Sequence, residues 1–215
     1  MRILPGTSSD LLREGLEVLN LGLSKQQQDL LLRYLTLMQK WSRVYNLTAI
    51  RDPERMVSHH LLDSLAIVFH VRGQQVLDVG SGAGLPGIPL AVSRPDLSVT
   101  MLDSNQKKTA FIQQVIAELG LTNTKVVCAR VEAWRPSGSF DVIVSRAYAE
   151  LADFVLQTRH LLGPEGNWLA MKGQRPDAEI ARLSGRFRIK SVSKLNVPTL
   201  DAERHLVSIE ATQET

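Results

Sequence analysis

Between Val76 and Gly87 the chain reads Val-Leu-Asp-Val-Gly-Ser-Gly-Ala-Gly-Leu-Pro-Gly, and few folds can accommodate such a stretch. An apolar strand runs into an acid and then into a turn with four glycines in eight positions. Glycine lets the backbone bend sharply and approach a bound group closely, and a helix can begin directly afterwards. Strand, glycine turn and helix together predict the first unit of a doubly wound α/β sheet, with a nucleoside-binding crevice at the strand ends.

The composition is compatible with that fold. A chain of 215 residues, 44% hydrophobic and 22% charged, suits one sizeable globular α/β domain. No apolar run approaches the roughly 18 residues of a membrane-spanning helix, and the stretch Met1–Gly6 lacks the apolar core of a secretory leader. The single cysteine, Cys128, lies in an apolar strand and reads as core, and one thiol fits a reducing cytoplasm. No Cys/His cluster has metal-ligand spacing, so no metal is expected; the adjacent His59 and His60 would diverge on a helix. A net charge of +3 is too small to argue for nucleic acid, yet eight Lys/Arg face four acids between Lys172 and His205. That basic segment reads either as a surface for a polyanion or as an ordinary solvated face.

Ahead of the glycine turn lie three helical patterns. Ser9 to Leu19 carries apolar residues at 11, 12, 16 and 19. Ser24 and Gln27 have capping-box spacing, and Leu31, Leu35, Met38 and Trp41 follow on one face. Pro53 opens a segment through His70 whose inner stripe is Met56, Val57, His60, Leu61 and Leu65. A lone histidine on such a stripe reads more readily as core than as a ligand. Residues 1–72 therefore predict an N-terminal helical cap on a domain of residues 73–215. From Gly73 the pattern alternates. Strands are expected at 75–79, 98–103, 125–129, 141–145, 167–171, 187–197 and 206–211, with helices at 87–94, 105–119, 131–134, 150–162 and 176–184. This predicts a mostly parallel seven-stranded sheet, and the helix-free link between the last two strands predicts an antiparallel terminal pair.

The glycines allow two ligands. Gly82, Gly84 and Gly87 fit the G-x-G-x-x-G fingerprint of dinucleotides. The strand, however, ends near Val79, so the register starts at Asp78 and runs through Gly80, Gly82 and Gly84. A carboxylate at the strand tip would repel a pyrophosphate and tolerate the cationic end of S-adenosylmethionine. Asp103 ends the next strand, where a carboxylate can accept from both ribose hydroxyls; its plainer role is a helix cap. Val131 and Glu132 follow the third strand at the place of an adenine edge, although Glu132 also suits a helix start. Ser145-Arg146 ends the fourth strand. The Asn/Asp-Pro-Pro-aromatic turn used to grip an exocyclic amine is absent there, as is a Pro-Cys pair for covalent attack on a pyrimidine. An acceptor needing neither device, such as guanine N7, remains open.

Asn46-Leu47-Thr48, His60-Leu61-Leu62-Asp63-Ser64-Leu65, the loop from Asp78 to Pro89, Leu102-Asp103-Ser104 with Lys107-Lys108, Ser145-Arg146-Ala147 and Lys172-Gly173 occur in this order. Together they resemble the small-subunit (16S) ribosomal RNA guanine-N7 methyltransferase family, also called the glucose-inhibited division protein B family. The resemblance spans residues 10–211. It implies a Rossmann-like class I methyltransferase fold and S-adenosylmethionine as methyl donor. It also implies a guanine of 16S rRNA in the small ribosomal subunit as acceptor. From the composition and spacing above, a cytoplasmic protein with no membrane and no metal is expected, as a monomer. Gly80, Leu85, Val131, Glu132 and Arg146 would contact the cofactor, joined from strand position by Asp78, Gly82, Gly84 and Asp103. Arg146 and Lys172 would lie near the target phosphate or base. Leu85, Ser81 and Val131 stand where the family usually has Phe, Thr and Ala. The rival readings are a small-molecule methyltransferase, an NAD-dependent oxidoreductase and a non-catalytic RNA-binding module.

Overall fold

A computed structural model describes residues 7–146 and 148–212. Helix α1 (Ser8–Val18) and helix α2 (Lys25–Tyr45) both open with capping boxes, Thr7 with Asp10 and Ser24 with Gln27. Gln27 also donates through Nε2 to Val92 O at 2.8 Å, fastening the start of α2 to the domain beneath it. Helix α2 ends where Asn46 takes a left-handed conformation, φ 48°.

The segment expected as a single helix from Pro53 is interrupted. Helix α3 (Pro53–Met56), with Asp52 as its cap, passes into a π-helical turn at Val57–Leu62 and then into helix α4 (Asp63–Leu65). A π turn inserts a residue into the ladder and often marks a functional position. Here the carbonyl of His59 accepts from Arg146 Nη1 at 2.8 Å, on a strand of the sheet.

The strands are β1 (Gln75–Val79), β2 (Ser98–Asp103), β3 (Thr124–Cys128), β4 (Phe140–Arg146), β5 (Leu162–Lys172), β6 (Phe187–Lys194) and β7 (His205–Ala211). Helices α5 (Gly87–Ser93), α6 (Gln106–Leu119), α7 (Leu151–Thr158) and α8 (Asp177–Ala181) lie between them. The sheet order is β3-β2-β1-β4-β5-β7-β6, parallel except where β7 pairs with β5 and β6. The expected antiparallel terminal pair is present. Insertion of β7 between β5 and β6 departs from the all-parallel 3-2-1-4-5-6 order of dinucleotide folds. The chain reverses between β1 and β4, which makes the crevice above those two strands the switch point where ligands bind.

Alternation along the central strands divides the interior into two layers. Val76, Val99, Met101, Val142, Val144, Leu169 and Met171 pack with α5, α6 and the cap residues Leu12, Leu31, Tyr34 and Met38. Leu77, Val79, Leu102, Ile143, Trp168 and Ala170 pack with Phe154 and Val155 of α7 on the other side. Two expectations are corrected. Cys128 is exposed, because β3 is the outer strand of the parallel half and its alternate residues meet solvent. The short helix at 131–134 is a turn, closed by Trp134 N donating to Arg130 O.

Tyr34 carries the most direct link between cap and sheet domain. Its side chain is fully buried, and its hydroxyl donates to Ala83 O at 2.6 Å, inside the glycine turn. Tyr34→Phe leaves that buried carbonyl without a partner, which is expected to cost about 1–3 kcal/mol in urea unfolding. An unchanged midpoint and slope would show that the tether contributes nothing.

Candidate functional site

The turn after β1 is built by satisfying its own backbone. Gly80 N and Ser81 N both donate to Leu102 O, at 2.8 and 3.2 Å, which lashes the turn to the end of β2. Gly82 N donates to Asp103 Oδ2 at 2.9 Å, and Asn105 N to the other oxygen of Asp103 at 2.8 Å. Asn105, not Asp103, is the side-chain cap of α6, accepting from Lys107 N and Lys108 N. Each Asp103 oxygen keeps a further lone pair, so the carboxylate can still take two hydroxyl donors.

Above this turn lies a cavity of about 300 Å³, walled by Val79, Gly80, Leu102 and Asp103 on one side and by Ala129, Arg130, Val131 and Glu132 on the other, with Ser104, Lys108 and Tyr148 completing it. Gly80 takes φ +69°, and a Cβ there would stand 2.6 Å from Tyr148 Cδ2. Only glycine keeps the aromatic ring this close to the turn. Wall charges balance: two carboxylates, Asp103 and Glu132, against Lys108 and Arg130. A small, neutral, partly apolar cleft with a ribose-type acceptor at one end suits a nucleoside. Of the residues named from the sequence, Gly80, Asp103, Val131 and Glu132 meet here. Tyr148 was not named from the sequence; Ser104 was named only in the motif beside Asp103, and Arg130 stands directly before Val131 at the end of β3.

Asp78 is placed elsewhere, and the reason is its parity in β1. Val79 faces the α7 side, so Asp78 faces the cap side, fully buried. Its Oδ2 accepts from Gly87 N at 2.9 Å at the start of α5, while Oδ1 has no partner among the described residues. The acid therefore does not confront a ligand on the cavity wall as its position at the strand tip suggested. Burial raises its pKa to about 7, against the smaller lowering effects of the Gly87 and Ser81 hydrogen bonds and of Arg146. Gly82 and Gly84 take φ +59° and +89° to form the turn, and Leu85 is buried beneath it.

Arg146 and Lys172 meet at a second cavity of about 360 Å³, lined by Asp63, Arg146, Met171, Lys172, Gly173 and Arg204. Arg146 shares the parity of Val142 and Val144 and so turns to the cap face, where Nη1 donates to His59 O at 2.8 Å and Asp63 Oδ2 at 3.1 Å. Arg204 Nε donates to Asp63 Oδ1 at 2.9 Å. Lys172 Nζ donates to Ala149 O at 2.9 Å and Glu179 Oε2 at 2.8 Å. Ser145 Oγ donates to Val79 O at 3.0 Å, clamping β4 to β1 between the two cavities.

His60 stands beside this cluster as a buried imidazole. Nε2 lies 2.9 Å from Thr48 Oγ1, and Nδ1 has no partner among the described residues. Burial first, and Arg146 second, lower its pKa to about 4, so it is neutral at neutral pH. Elsewhere in the basic segment, Arg188 and Lys190 pair with Glu210, Lys194 with Glu203, and Arg175 with Asp177. Several cations of that segment are thus paired with nearby acids, while Lys172 and Arg204, at its two ends, line the second cavity.

Comparison with known proteins adds an independent line. The family described as rRNA small subunit methyltransferase G matches residues 27–207. The ribosomal RNA small subunit methyltransferase G of Laribacter hongkongensis is 57% identical over 198 residues, covering 92% of this chain and 96% of that protein. The protein of the same name from Chromobacterium violaceum is 56% identical over 197 residues, covering 91% and 94%. Among solved structures, an O-methyltransferase from neocarzinostatin biosynthesis, in complex with S-adenosylmethionine and a naphthoic acid, superimposes with a TM-score of 0.60. Identity there is 20%, over 74% of this chain and 56% of that one, a likeness of fold.

The buried state of Asp78 has a measurable signature. Its folded pKa of about 7 lies above the ordinary 3.8, so the native protein keeps a proton that the unfolded chain has already lost. Stability from the protonated form is present below about pH 4 and is lost as the pH rises through 7. Asp78→Asn cannot ionise. Relative to that variant, the parent protein is expected to lose a few kcal/mol of unfolding free energy between pH 4 and 8. Parallel stability curves for the two proteins would show that Asp78 ionises freely.

Proposed function

The chain belongs to the rRNA small subunit methyltransferase G family, and from that premise we propose that it methylates N7 of a guanine in 16S rRNA of the small ribosomal subunit. We further propose that it acts as a cytoplasmic monomer. No helix among the described residues is long and apolar enough to cross a membrane, and no group of His, Cys, Asp or Glu among them is arranged to hold a metal ion.

S-adenosylmethionine, when bound, supplies an electrophilic methyl on a sulfonium sulfur. The residues present fit it. Asp103 retains acceptor capacity for the ribose, and Val131 and Glu132 offer backbone and carboxylate to the adenine edge. Gly80, Gly82, Gly84 and Leu85 shape the turn beneath it, and Asp78 supports that turn from the cap side through the Gly87 amide. In this reading Arg146 stands at the junction, serving both the cofactor and the acceptor, and Lys172 serves the acceptor.

Guanine N7 carries an in-plane lone pair, so no side chain has to remove a proton before transfer. The second cavity accords with that. Asp63 is the carboxylate on its wall, and both of its oxygens are engaged by guanidinium groups. What the chain must provide is proximity and alignment, for which two cavities held on either side of one β1–β4 clamp are suited. The observation that carries the reading is this pairing of a neutral nucleoside-sized cleft with a cationic one across the switch point.

Purified protein incubated with small subunits and labelled S-adenosylmethionine is expected to place one methyl on rRNA, recovered by mass mapping as N7-methylguanine. Label on another atom, or none on rRNA, would falsify the assignment. Arg146→Ala is expected to abolish transfer while the thermal melt stays cooperative; near-normal turnover would remove Arg146 from the site. Asp103→Ala is expected to weaken S-adenosylmethionine binding at least tenfold in calorimetry.

A further inference from the structure

Among the described residues the first cavity has one aromatic side chain on its wall, Tyr148, and the sheet order gives it a definite place. The parallel strands lie in the order β3, β2, β1, β4. The wall follows that order: Glu132 comes after β3, Asp103 ends β2, Gly80 follows β1, and Tyr148 stands two residues beyond β4. S-adenosylmethionine is itself built in a line, from adenine through ribose to sulfonium. With the adenine at Glu132 and the ribose at Asp103, the sulfonium falls at Gly80 and Tyr148. That is the β4 end of the cavity, and β4 also carries Arg146 into the second cavity.

Tyr148 is fixed from two sides. Gly80 admits its ring, since a Cβ there would stand 2.6 Å from Cδ2. Behind it, α7 holds the ring: Oη donates to Gln157 Oε1 at 2.6 Å, and the Phe154 ring lies 6.4 Å away between centroids, at 65°. Burial first, and then the Glu132 and Asp153 carboxylates, push the phenol's pKa up, so the ring stays uncharged. The charge of a sulfonium needs an answer in this place. Two carboxylates line the cavity among the described residues. Asp103 is tied to the Gly82 and Asn105 amides at the ribose end, and Glu132 stands at the adenine end. Asp78 faces the other side of β1. Beside Gly80 the wall is otherwise aliphatic, from Val79 and Leu102. An aromatic ring attracts a cation over its face, and a neutral ligand in the same place gains only packing.

We propose that the ring of Tyr148 holds the charged sulfur of S-adenosylmethionine and thereby distinguishes the methyl donor from S-adenosylhomocysteine, whose sulfur is neutral. The inference rests on the placement of the cofactor in the first cavity and is independent of which rRNA atom receives the methyl. In transfer, the acceptor's lone pair forms the new bond to the methyl carbon. The electron pair of the old S–C bond stays on sulfur, and the positive charge passes to the acceptor. Loss of charge at sulfur releases the ring's hold on the spent cofactor, which favours its exchange for a fresh donor.

The experiment measures dissociation constants for S-adenosylmethionine and S-adenosylhomocysteine by calorimetry on the intact protein. Tyr148→Leu keeps apolar bulk and removes the ring. It is expected to weaken S-adenosylmethionine about tenfold and to leave S-adenosylhomocysteine within about twofold. Tyr148→Phe loses the bond to Gln157 and keeps the ring, so both ligands are expected to stay within about twofold of the parent. Phenylalanine carrying one, two or three ring fluorines at position 148 keeps the shape while drawing electron density from the face. Affinity for S-adenosylmethionine is expected to fall stepwise along that series and affinity for S-adenosylhomocysteine to stay constant; the series serves if Tyr148→Leu does not fold. Equal weakening of both ligands in Tyr148→Leu would make the ring a packing surface and overturn the proposal. Unchanged affinity for both, or a flat response to fluorination, overturns it too. The cavity assignment fails separately: Asp103→Ala would then leave S-adenosylmethionine binding unchanged, whereas a failure at Tyr148 alone leaves the Asp103→Ala loss in place.

Discussion

The whole site depends on how one short turn disposes of its backbone polar groups. Between Val79 and Gly87 the chain leaves a buried strand and enters a buried helix, in a region with little water to answer its N–H and C=O groups. Gly84 N and Leu85 N donate to Ser81 O within the turn, and the remaining contacts that solve this problem reach into other elements. Leu102 O and Asp103 come from β2, the Gly87 amide is answered by Asp78 of β1, and Ala83 O is answered by Tyr34 of the cap. The turn is therefore held by strand, neighbouring strand and cap together. The carboxylate of Asp103 is fixed by the same bonds that fix the turn, so the proposed ribose acceptor and the satisfied backbone are one arrangement.

The period of two in a strand then distributes the chemistry. At the tips of β1 and β4, successive residues point to opposite faces, so Val79 belongs to the first cavity while Asp78 and Arg146 belong to the cap side. Two cavities of different charge arise on either side of a shared edge. The cleft is balanced and partly apolar; the other cavity is cationic. The cap is more than a cover here. Its π turn presents His59 O and Asp63 to the arginines, so residues of the N-terminal helices set the charge geometry at the end of the sheet.

Much of this could be read from the residues. The capping boxes at Thr7 and Ser24 are local hydrogen-bond patterns, and β1, β2 and α5 are announced by apolar runs and glycine, so these elements stand where the spacing put them. Cys128 misled because an apolar run does not reveal whether its strand is central or outermost. The 131–134 segment misled because a residue or two of helical propensity cannot outweigh the cost of starting a helix. Arg204 gave no signal at all. It sits in a basic segment among residues of the same kind, most of which are paired with nearby acids.

The sequence by itself determined the sheet type, the nucleoside turn and the identity of the residues that form it, because those follow from short-range periodicity and from the conformations that glycine permits. Only the tertiary structure decided which face each strand-end side chain serves and which distant charges meet. Asp63, Arg146 and Arg204 lie on three separate elements of the chain. Their meeting is fixed by how the cap packs on the sheet and by the placement of β7 beside β5, and residue spacing specifies neither of those long-range arrangements.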